Sequence, residues 1–399
     1  MRFDNVGKIT VITFCINFHF YIHVYALLLL SRGLTLVQIS GIESAVIACM
    51  VLMEVPTGVL ADRLGRKWSL VASLFSLMCA EFLFLFSRSY ALYLFIAFLT
   101  GTGFAFSSGA TESLVYDGLP VVDRENQMKN AMSRLGSARR FAAFLSPLLG
   151  GLIVSDLTQP QFNLAILLTV ITLLVGGLVS LSLREPATVW EPAQQGLIGI
   201  LGSGMRELAS NRKLQSLVLL VTLTTPFTGM MVTTLAPPFL RQWGTTPFMI
   251  GLALSMGSLL AAFMQHLAVP VERLLGRRWG LIILTLLPGA GYLLLALAQQ
   301  PVLVWLLVAW MYGTNEIRAP LVSTYQNEWI ATPSRATALS LINMLLSFFV
   351  AVMMPVYATL AALSLPLAFS IMGGVILIST CLAAYLMSTS IVSRALTRR

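Results

Sequence analysis

Long uncharged, largely apolar runs are the feature that most limits what this chain can fold into. Two of the clearest are Val11–Leu30 and Leu281–Leu297, and a membrane-spanning helix needs about 20 such residues. A transmembrane β-strand would instead alternate apolar and polar side chains. Because 57% of the residues are hydrophobic and only 10% are charged, the surface chemistry of a soluble domain is excluded. The sequence predicts an all-α membrane protein.

The spacing of these runs predicts twelve transmembrane helices in two groups of six. The longest hydrophilic stretch is Arg184–Lys213. We therefore expect a six-helix bundle over 1–183, a cytoplasmic central loop over 184–213 and a second six-helix bundle over 214–399. The predicted spans lie near 9–30, 38–60, 69–87, 91–116, 134–154, 162–183, 214–239, 247–270, 280–298, 302–325, 337–362 and 365–388.

Basic residues predict the orientation, because Lys and Arg concentrate in the cytoplasmic segments of membrane proteins. Nineteen of the 25 fall on the side of the N-terminus, whereas only Arg32, Arg88 and Arg241 fall in the opposite loops. Both termini are expected in the cytoplasm. The net charge of +9 then reflects topology, and a nucleic-acid partner is not expected. The short loops favour the cytoplasmic (inner) membrane of a prokaryote, crossed many times.

Two loosely matched segments indicate that the halves are repeats. The segment Asp62–Lys67 reads DRLGRK, and the corresponding loop of the second half, Glu272–Arg278, reads ERLLGRR. Gly109–Glu112 in the predicted fourth span has a counterpart in Gly313–Glu316 in the tenth. Parallel repeats of six helices are typical of transporters whose binding site lies between the halves near the bilayer midplane.

The loop after the second span resembles the signature of the major facilitator superfamily, and the resemblance extends over the whole chain. It rests on one motif, with matching residues Gly58, Asp62, Arg63, Gly65, Arg66 and Lys67. The resemblance implies that these residues form a conformational latch and do not bind substrate. In physical terms, a glycine allows close helix approach, and a carboxylate at the membrane boundary can cap a helix or pair with arginine.

The predicted fifth span carries a partial second resemblance. Its segment Ala142–Gly151 is similar to the proline–glycine–glycine motif of drug–proton antiporters within the superfamily. That implies a helix kink and a seal formed by Pro147, Gly150 and Gly151, although such residues also serve simple helix packing. One departure is Ala97, which stands where those antiporters carry an arginine, so the role of that arginine is not carried over.

Ionisable residues within the spans are candidates for proton coupling or buried ion pairs, because charge in a bilayer is costly. We expect Glu112 to pair with Arg139 or Arg140, either as a static pair or as a carboxylate that takes up a proton when the pair separates. Glu43, Glu54 and Glu81 lie nearer to span ends. The candidates are Glu112, Asp117, Arg139, Arg140, Glu316 and Arg318.

A third group of polar residues is expected to line a substrate cavity. On a continuous helix, His19 and His23 would share one face of the first span, and hydrogen bonding inside the bundle is the alternative. The cavity candidates are Asn17, His19, His23, Thr225 and Asn343. Three histidines and four cysteines within apolar runs show no metal-ligand spacing, so neither a metal nor a cofactor is expected.

Together these observations predict a secondary active transporter that works by alternating access, and not an enzyme. The expected activity is proton-coupled efflux of small amphipathic or drug-like compounds. The alternative is proton-coupled uptake, or uniport, of a small metabolite or organic anion. The expected partners are a small-molecule substrate, protons and the lipid bilayer, and the chain is expected to be a monomer because the site would lie within it.

Overall fold

The regular structure of the described chain is entirely helical, as the sequence predicts. The computed structural model describes residues 5–120, 123–185, 205–206, 208–209, 211–225, 231–314, 317–330 and 335–396. The α-helices are α1 Asn5–Ile16, α2 Tyr25–Ser31, α3 Leu36–Leu64, α4 Arg66–Phe86, α5 Tyr90–Gly118, α6 Arg124–Ile153, α7 Gln159–Leu181, α8 Arg212–Thr224, α9 Ala236–Gln242, α10 Pro247–Leu297, α11 Pro301–Thr314, α12 Ala319–Trp329, α13 Arg335–Leu363 and α14 Leu365–Leu396.

Seven helices in the described part of the chain are long and apolar enough to cross a bilayer. Two shorter apolar segments, Asn5–Ile16 and Ile22–Ser31, precede them. Large apolar side chains stand exposed along the long helices, for example Leu52 and Ile378. Such exposure is unfavourable in water but costs nothing against lipid.

The first predicted span is not one continuous helix. Helix α1 ends at Ile16, Asn17–Tyr21 is non-helical, and a 3-10 turn over Ile22–Val24 leads into α2. Aromatic and β-branched residues dominate this break and have modest helix propensity. The freed amide of Phe20 donates a hydrogen bond of 3.2 Å to Thr169 Oγ1 of α7, as irregular backbone within a membrane protein requires.

This break corrects one expectation from the sequence. His19 lies in the irregular segment and His23 lies in the 3-10 turn, so they do not share a helical face. Hydropathy cannot detect such a break, because the residues on both sides are equally apolar.

The described chain divides into two compact units. The first comprises Met1–Glu191 together with Gly244–Ser255, a range that includes the first turns of α10. The second comprises Pro192–Trp243 and Met256–Arg399. Within the first unit, Ser255 Oγ donates a hydrogen bond of 2.7 Å to the carbonyl oxygen of Phe144 in α6.

Two glycines in corresponding loops turn one helix into the next. Gly65 joins α3 to α4 with φ 96° and ψ 151°, and Gly276 interrupts α10 with φ 77° and ψ 163°. These backbone angles are accessible essentially to glycine alone. The sequence repeat is therefore also a repeat of backbone conformation.

Candidate functional site

The loop at Gly65 is held by an ion pair and by a helix cap. Arg66 Nη1 lies 2.8 Å from Asp117 Oδ2, and both side chains are half-buried. The two carboxylate oxygens of Glu185 accept hydrogen bonds of 2.8 Å each from the backbone amides of Arg66 and Lys67. A carboxylate at the first turn of a helix satisfies free amides and complements the helix dipole.

The second unit contains the same bridge at the corresponding place. Arg277 Nη1 lies 2.7 Å from Glu328 Oε1, and this bond holds the pKa of the Arg277 guanidinium above its ordinary value. Arginine and carboxylate are 51 residues apart in the chain in both units. Neighbouring cations also match, since each lies 5.4 Å from the ring centroid of the tryptophan that follows it; the pairs are Lys67–Trp68 and Arg278–Trp279.

Other residues of the predicted latch are more open. Asp62 and Arg63 are exposed, and no described residue lies within ion-pair distance of Asp62. A Cβ at Gly58 would meet open space, so this structure does not show the close helix approach expected there. Gly58 and Asp62 instead line a cavity of about 190 Å³ in the first unit, with Glu54 and Arg66 also on its wall.

The expected pairing of Glu112 is not found in this structure. Glu112 and Arg139 both lie on exposed helix faces, and no ion pair joins Glu112 to Arg139 or Arg140 among the described residues. Arg140 has an interaction of its own. Asp117 pairs with Arg66. This ion pair connects the ionisable residues of the spans with the latch, which the sequence predicts as separate groups.

The corresponding candidates of the tenth span lie in the second unit. Glu316 falls outside the described residues. Arg318 is buried, with 7% of its surface exposed, and its Nη1 donates to Thr285 Oγ1 at 3.3 Å.

A carboxylate that the sequence placed near a span end is central to a cluster at the break of the first span. Glu81 Oε1 lies 3.3 Å from His19 Nδ1, and Tyr21 donates a hydrogen bond of 2.7 Å to Glu81 Oε2. The other nitrogen of His19, Nε2, lies 3.0 Å from the carbonyl oxygen of Ile16. Glu81 and His19 are 14% and 21% exposed, so water has limited access.

The contacts of this cluster suit a proton shared between His19 and Glu81. A carbonyl oxygen can only accept, so Nε2 must carry the proton that points to Ile16. In a neutral ring Nδ1 is then an acceptor, and the contact with Glu81 needs one further proton on either the imidazole or the carboxyl group. With the ring in this tautomer, the two groups are placed to share one proton.

His23, which the sequence assigned to the cavity, is wholly buried beside this cluster. Neither ring nitrogen has a hydrogen-bond partner among the described residues. Its Cε1 would lie 2.7 Å from a Cβ added at Gly150, and the Phe20 carbonyl would be closer still. The imidazole is therefore packed against α6 and has no route to solvent.

The remaining cavity candidates lie on separate elements of the described chain. Asn17 and Thr225 each hydrogen-bond a carbonyl one turn earlier, at 2.8 Å and 2.7 Å, as polar residues often do within membrane helices. Asn343 is exposed on α13. Asn17 belongs to the first unit, whereas Thr225 and Asn343 belong to the second.

The glycines of the fifth span serve close packing within the first unit. Helix α6 continues through Pro147 to Ile153. A Cβ at Gly150 would collide with the Phe20 carbonyl, and one at Gly151 would lie 2.9 Å from Phe248 Cα. The motif thus lies against the break of the first span on one side and the start of α10 on the other.

Comparison with known proteins identifies the family. The family model of the major facilitator superfamily matches residues 9–242 and 218–396. The chain therefore belongs to the major facilitator superfamily and is a multi-pass membrane transporter. This membership confirms the predicted fold and the expectation that the chain is not an enzyme.

Solved structures agree on the fold. A variant of the nucleoside transporter NupG is 13% identical, with a TM-score of 0.77 over 96% of this chain and 98% of that one. A D-xylose–proton symporter is 11% identical, with a TM-score of 0.75 over 95% and 96%. A bacterial homologue of the human lysosomal transporter Spinster is 16% identical, with a TM-score of 0.68 over 96% and 94%. No curated protein sequence matches the chain.

Proposed function

We propose that this transporter is proton-coupled, works by alternating access and exports small amphipathic or drug-like compounds. The observation that carries the proposal is the cluster of His19, Tyr21 and Glu81 at the break of the first span. Its geometry suits a shared proton. Its carboxylate lies within an apolar unit, where an ionisable group is costly and is therefore a candidate for a function.

The cluster can link proton binding to backbone movement. Without the shared proton, His19 Nδ1 and Glu81 Oε1 are two acceptors 3.3 Å apart, and their lone pairs repel. His19 lies in the non-helical segment Asn17–Tyr21, which lacks the rigidity of a continuous helix. Proton release would therefore move this segment, and substrate binding to the moved form would complete the coupling.

The paired Arg–carboxylate bridges support alternating access. Arg66–Asp117 and Arg277–Glu328 connect helices near the loop of each repeat. Such bridges can break in one state and re-form in another, which makes each a two-state element. We further propose that these loops face the cytoplasm, in accordance with the distribution of Lys and Arg, and that the chain acts as a monomer.

Export is supported by the packing of the fifth span. Gly150 and Gly151 close the first unit tightly against the broken span, as a seal against leakage would require.

A second candidate function is uptake or uniport of a small metabolite or organic anion. Arg318 favours it, because a buried guanidinium with a hydroxyl partner at 3.3 Å is suited to attract an anion. Two of the similar structures are a nucleoside transporter and a D-xylose–proton symporter.

Proton movement in everted, energised membrane vesicles would test the proposal. The pH gradient is monitored while cationic, neutral and anionic compounds are added to vesicles with the wild-type protein, Glu81→Gln or Glu112→Gln. We expect one compound class to collapse the gradient with the wild type and with Glu112→Gln. Glu81→Gln should lose this response by about tenfold or more but retain substrate exchange, since Tyr21 can still donate to the amide oxygen.

The Glu112→Gln variant is the matched control, since it makes the same change at an exposed carboxylate. Loss of the response in Glu112→Gln alone would make Glu112 the coupling residue and contradict the assignment to Glu81. Substrate uptake into proteoliposomes without any proton movement would support the second candidate function instead.

A further inference from the structure

A second polar cavity lies at the end of the first unit opposite the Gly65 loop. It has a volume of about 300 Å³ and forms where α2 and α4 end and α7 begins. The proposed function makes no use of it. The lining residues are Ser31, Arg32, Leu85, Ser87, Arg88 and Gln159.

Neutral groups hold the first of its two arginines in place. Arg32 Nη1 donates to the Phe84 carbonyl at 2.9 Å, to Ser87 Oγ at 3.2 Å and to Tyr93 OH at 3.3 Å. Its guanidinium also lies 5.1 Å from the centroid of the Phe84 ring. No carboxylate in the described chain lies within ion-pair distance of Arg32. The charge is therefore fixed in position and is not neutralised by an ion pair.

The same guanidinium lacks one hydrogen-bond acceptor. Its Nη2 is buried and has no partner among the described residues, although buried donors are nearly always paired. A negatively charged oxygen admitted to the cavity would supply the missing counter-charge.

The second arginine is ready to contact a ligand without giving up existing bonds. Arg88 follows Ser87 directly, is exposed, and makes no ion pair with a described residue. Two guanidinium groups around one cavity suit an oxyanion, because arginine presents several N–H donors to carboxylate or phosphate oxygens.

The distribution of basic residues along the chain distinguishes Arg32 and Arg88 from most of the other arginines. Of the 25 Lys and Arg residues, only Arg32, Arg88 and Arg241 fall in the loops assigned to this side, where basic residues are disfavoured. Two of these three residues line one cavity. Tyr90, which begins α5 beside Arg88, is exposed, and tyrosine concentrates at the level of the lipid headgroups.

From these contacts we infer that the cavity at Arg32 and Arg88 binds a phosphate-type oxyanion, either as the headgroup of a phospholipid or as a free anion. Arg32 forms the fixed wall of the site, and Arg88 closes over the bound group. The apolar side chain of Leu85 on the same wall suits the glycerol end of a lipid headgroup, which makes the phospholipid the expected source.

Binding of two probes to the purified full-length protein in a neutral detergent would test this inference. The probes are inorganic phosphate and a short-chain phosphatidylglycerol below its micellar concentration, with the corresponding diacylglycerol as the phosphate-free control. The variants are Arg32→Gln, Arg88→Gln and, as a matched control, Arg134→Gln at an exposed arginine of α6. Bound probe is counted by native mass spectrometry.

We expect Arg32→Gln and Arg88→Gln each to weaken phosphatidylglycerol binding about tenfold, the effect of one lost charge-assisted contact. Arg134→Gln should stay within about twofold, and diacylglycerol should not bind. The same loss with inorganic phosphate would assign the site to a free anion as well. Equal binding by the wild type and by a correctly folded Arg88→Gln, which removes no packing contact, would overturn the inference.

Discussion

At the scale of single residues, Glu81 owes its chemistry to what surrounds it. Glu112 lies on an exposed helix face, whereas Glu81 has Tyr21 on one oxygen and His19 on the other. Tyr21 and Glu81 are 60 residues apart in the chain. The break after Ile16 brings the side chains of His19 and Tyr21 to the carboxyl group of Glu81.

Gly150 packs closely against the break in the first span, and this contact predicts the effect of a substitution at Gly150. Gly150→Ala would place a methyl group against the Phe20 carbonyl and the His23 ring. Because protein interiors are close-packed, we expect a loss of about 1–3 kcal/mol in stability and strongly reduced transport. Thermal unfolding in detergent and vesicle transport measure the two effects.

Gly136→Ala on the same helix is the control, because a Cβ there meets nothing within 4 Å. Alanine at that site should leave stability unchanged or slightly raised, owing to its better helix propensity. Equal behaviour of the two variants would show that the packing at Gly150 is unimportant.

At the scale of elements, the two glycine turns show how a short motif determines local structure. Gly65 and Gly276 have nearly the same backbone angles. They differ in surroundings, because a Cβ at residue 65 would lie 2.9 Å from the Glu185 carboxyl group, whereas one at residue 276 meets open space. A side chain at residue 65 is thus opposed by the backbone conformation and by contact with Glu185. A side chain at residue 276 is opposed by the backbone conformation alone.

This difference predicts unequal effects of the same substitution. Gly65→Ala and Gly276→Ala both force alanine into glycine-only angles, at about 1–3 kcal/mol. Gly65→Ala should be the more destabilising of the two, because it also displaces the cap of α4. Denaturant unfolding of both variants checks this order, and the reverse order would contradict a capping role for Glu185.

The helices themselves were largely predictable from hydropathy, but the break in the first span was not. Charge-free apolar runs determine where a chain enters and leaves the membrane. The break at Asn17–Tyr21 depends on the hydroxyl of Thr169 from a distant helix. A sequence window around residue 19 contains no trace of that partner, so the shared face of His19 and His23 was a wrong inference from an idealised helix.

At the scale of the whole molecule, the two repeats share side-chain contacts as well as sequence. The match between the loops at Gly65 and Gly276 is visible in the sequence. The resemblance to the major facilitator superfamily is visible there too, and the family model confirms it. The carboxylates that complete the bridges, Asp117 and Glu328, lie far from the motif. Asp117 is a candidate for a buried ion pair in the sequence, but its partner in the motif and the role of Glu328 could not be predicted, because nothing local links these carboxylates to the motif.

The two bridges should not contribute equally to transport. Arg66 is 33% exposed and Arg277 is 59% exposed, and solvent weakens the more exposed ion pair. We expect Arg66→Gln to slow transport by roughly tenfold and Arg277→Gln by only a few-fold. Rates of net transport and of substrate exchange, measured in the same vesicles, separate a conformational defect from a binding defect.

Salt gives an independent check on the two bridges. Exposed ion pairs are screened by salt before shielded ones. Raising the ionic strength should therefore weaken the Arg277 bridge first, and the transport rate of the wild type should fall toward that of Arg277→Gln. The Arg66 bridge should weaken only at higher ionic strength. If Arg277→Gln proved the slower variant, the second bridge would be the dominant latch.

The break in the first span also has a consequence for the order in which the protein is made. Helices α1 and α2 have only 12 and 7 residues, too few to be stable alone. The partner of the Phe20 amide is synthesised 149 residues later, which at about 5–20 residues per second corresponds to roughly 7–30 s of translation. The segment around Phe20 must therefore remain without this partner until the sixth span has been synthesised.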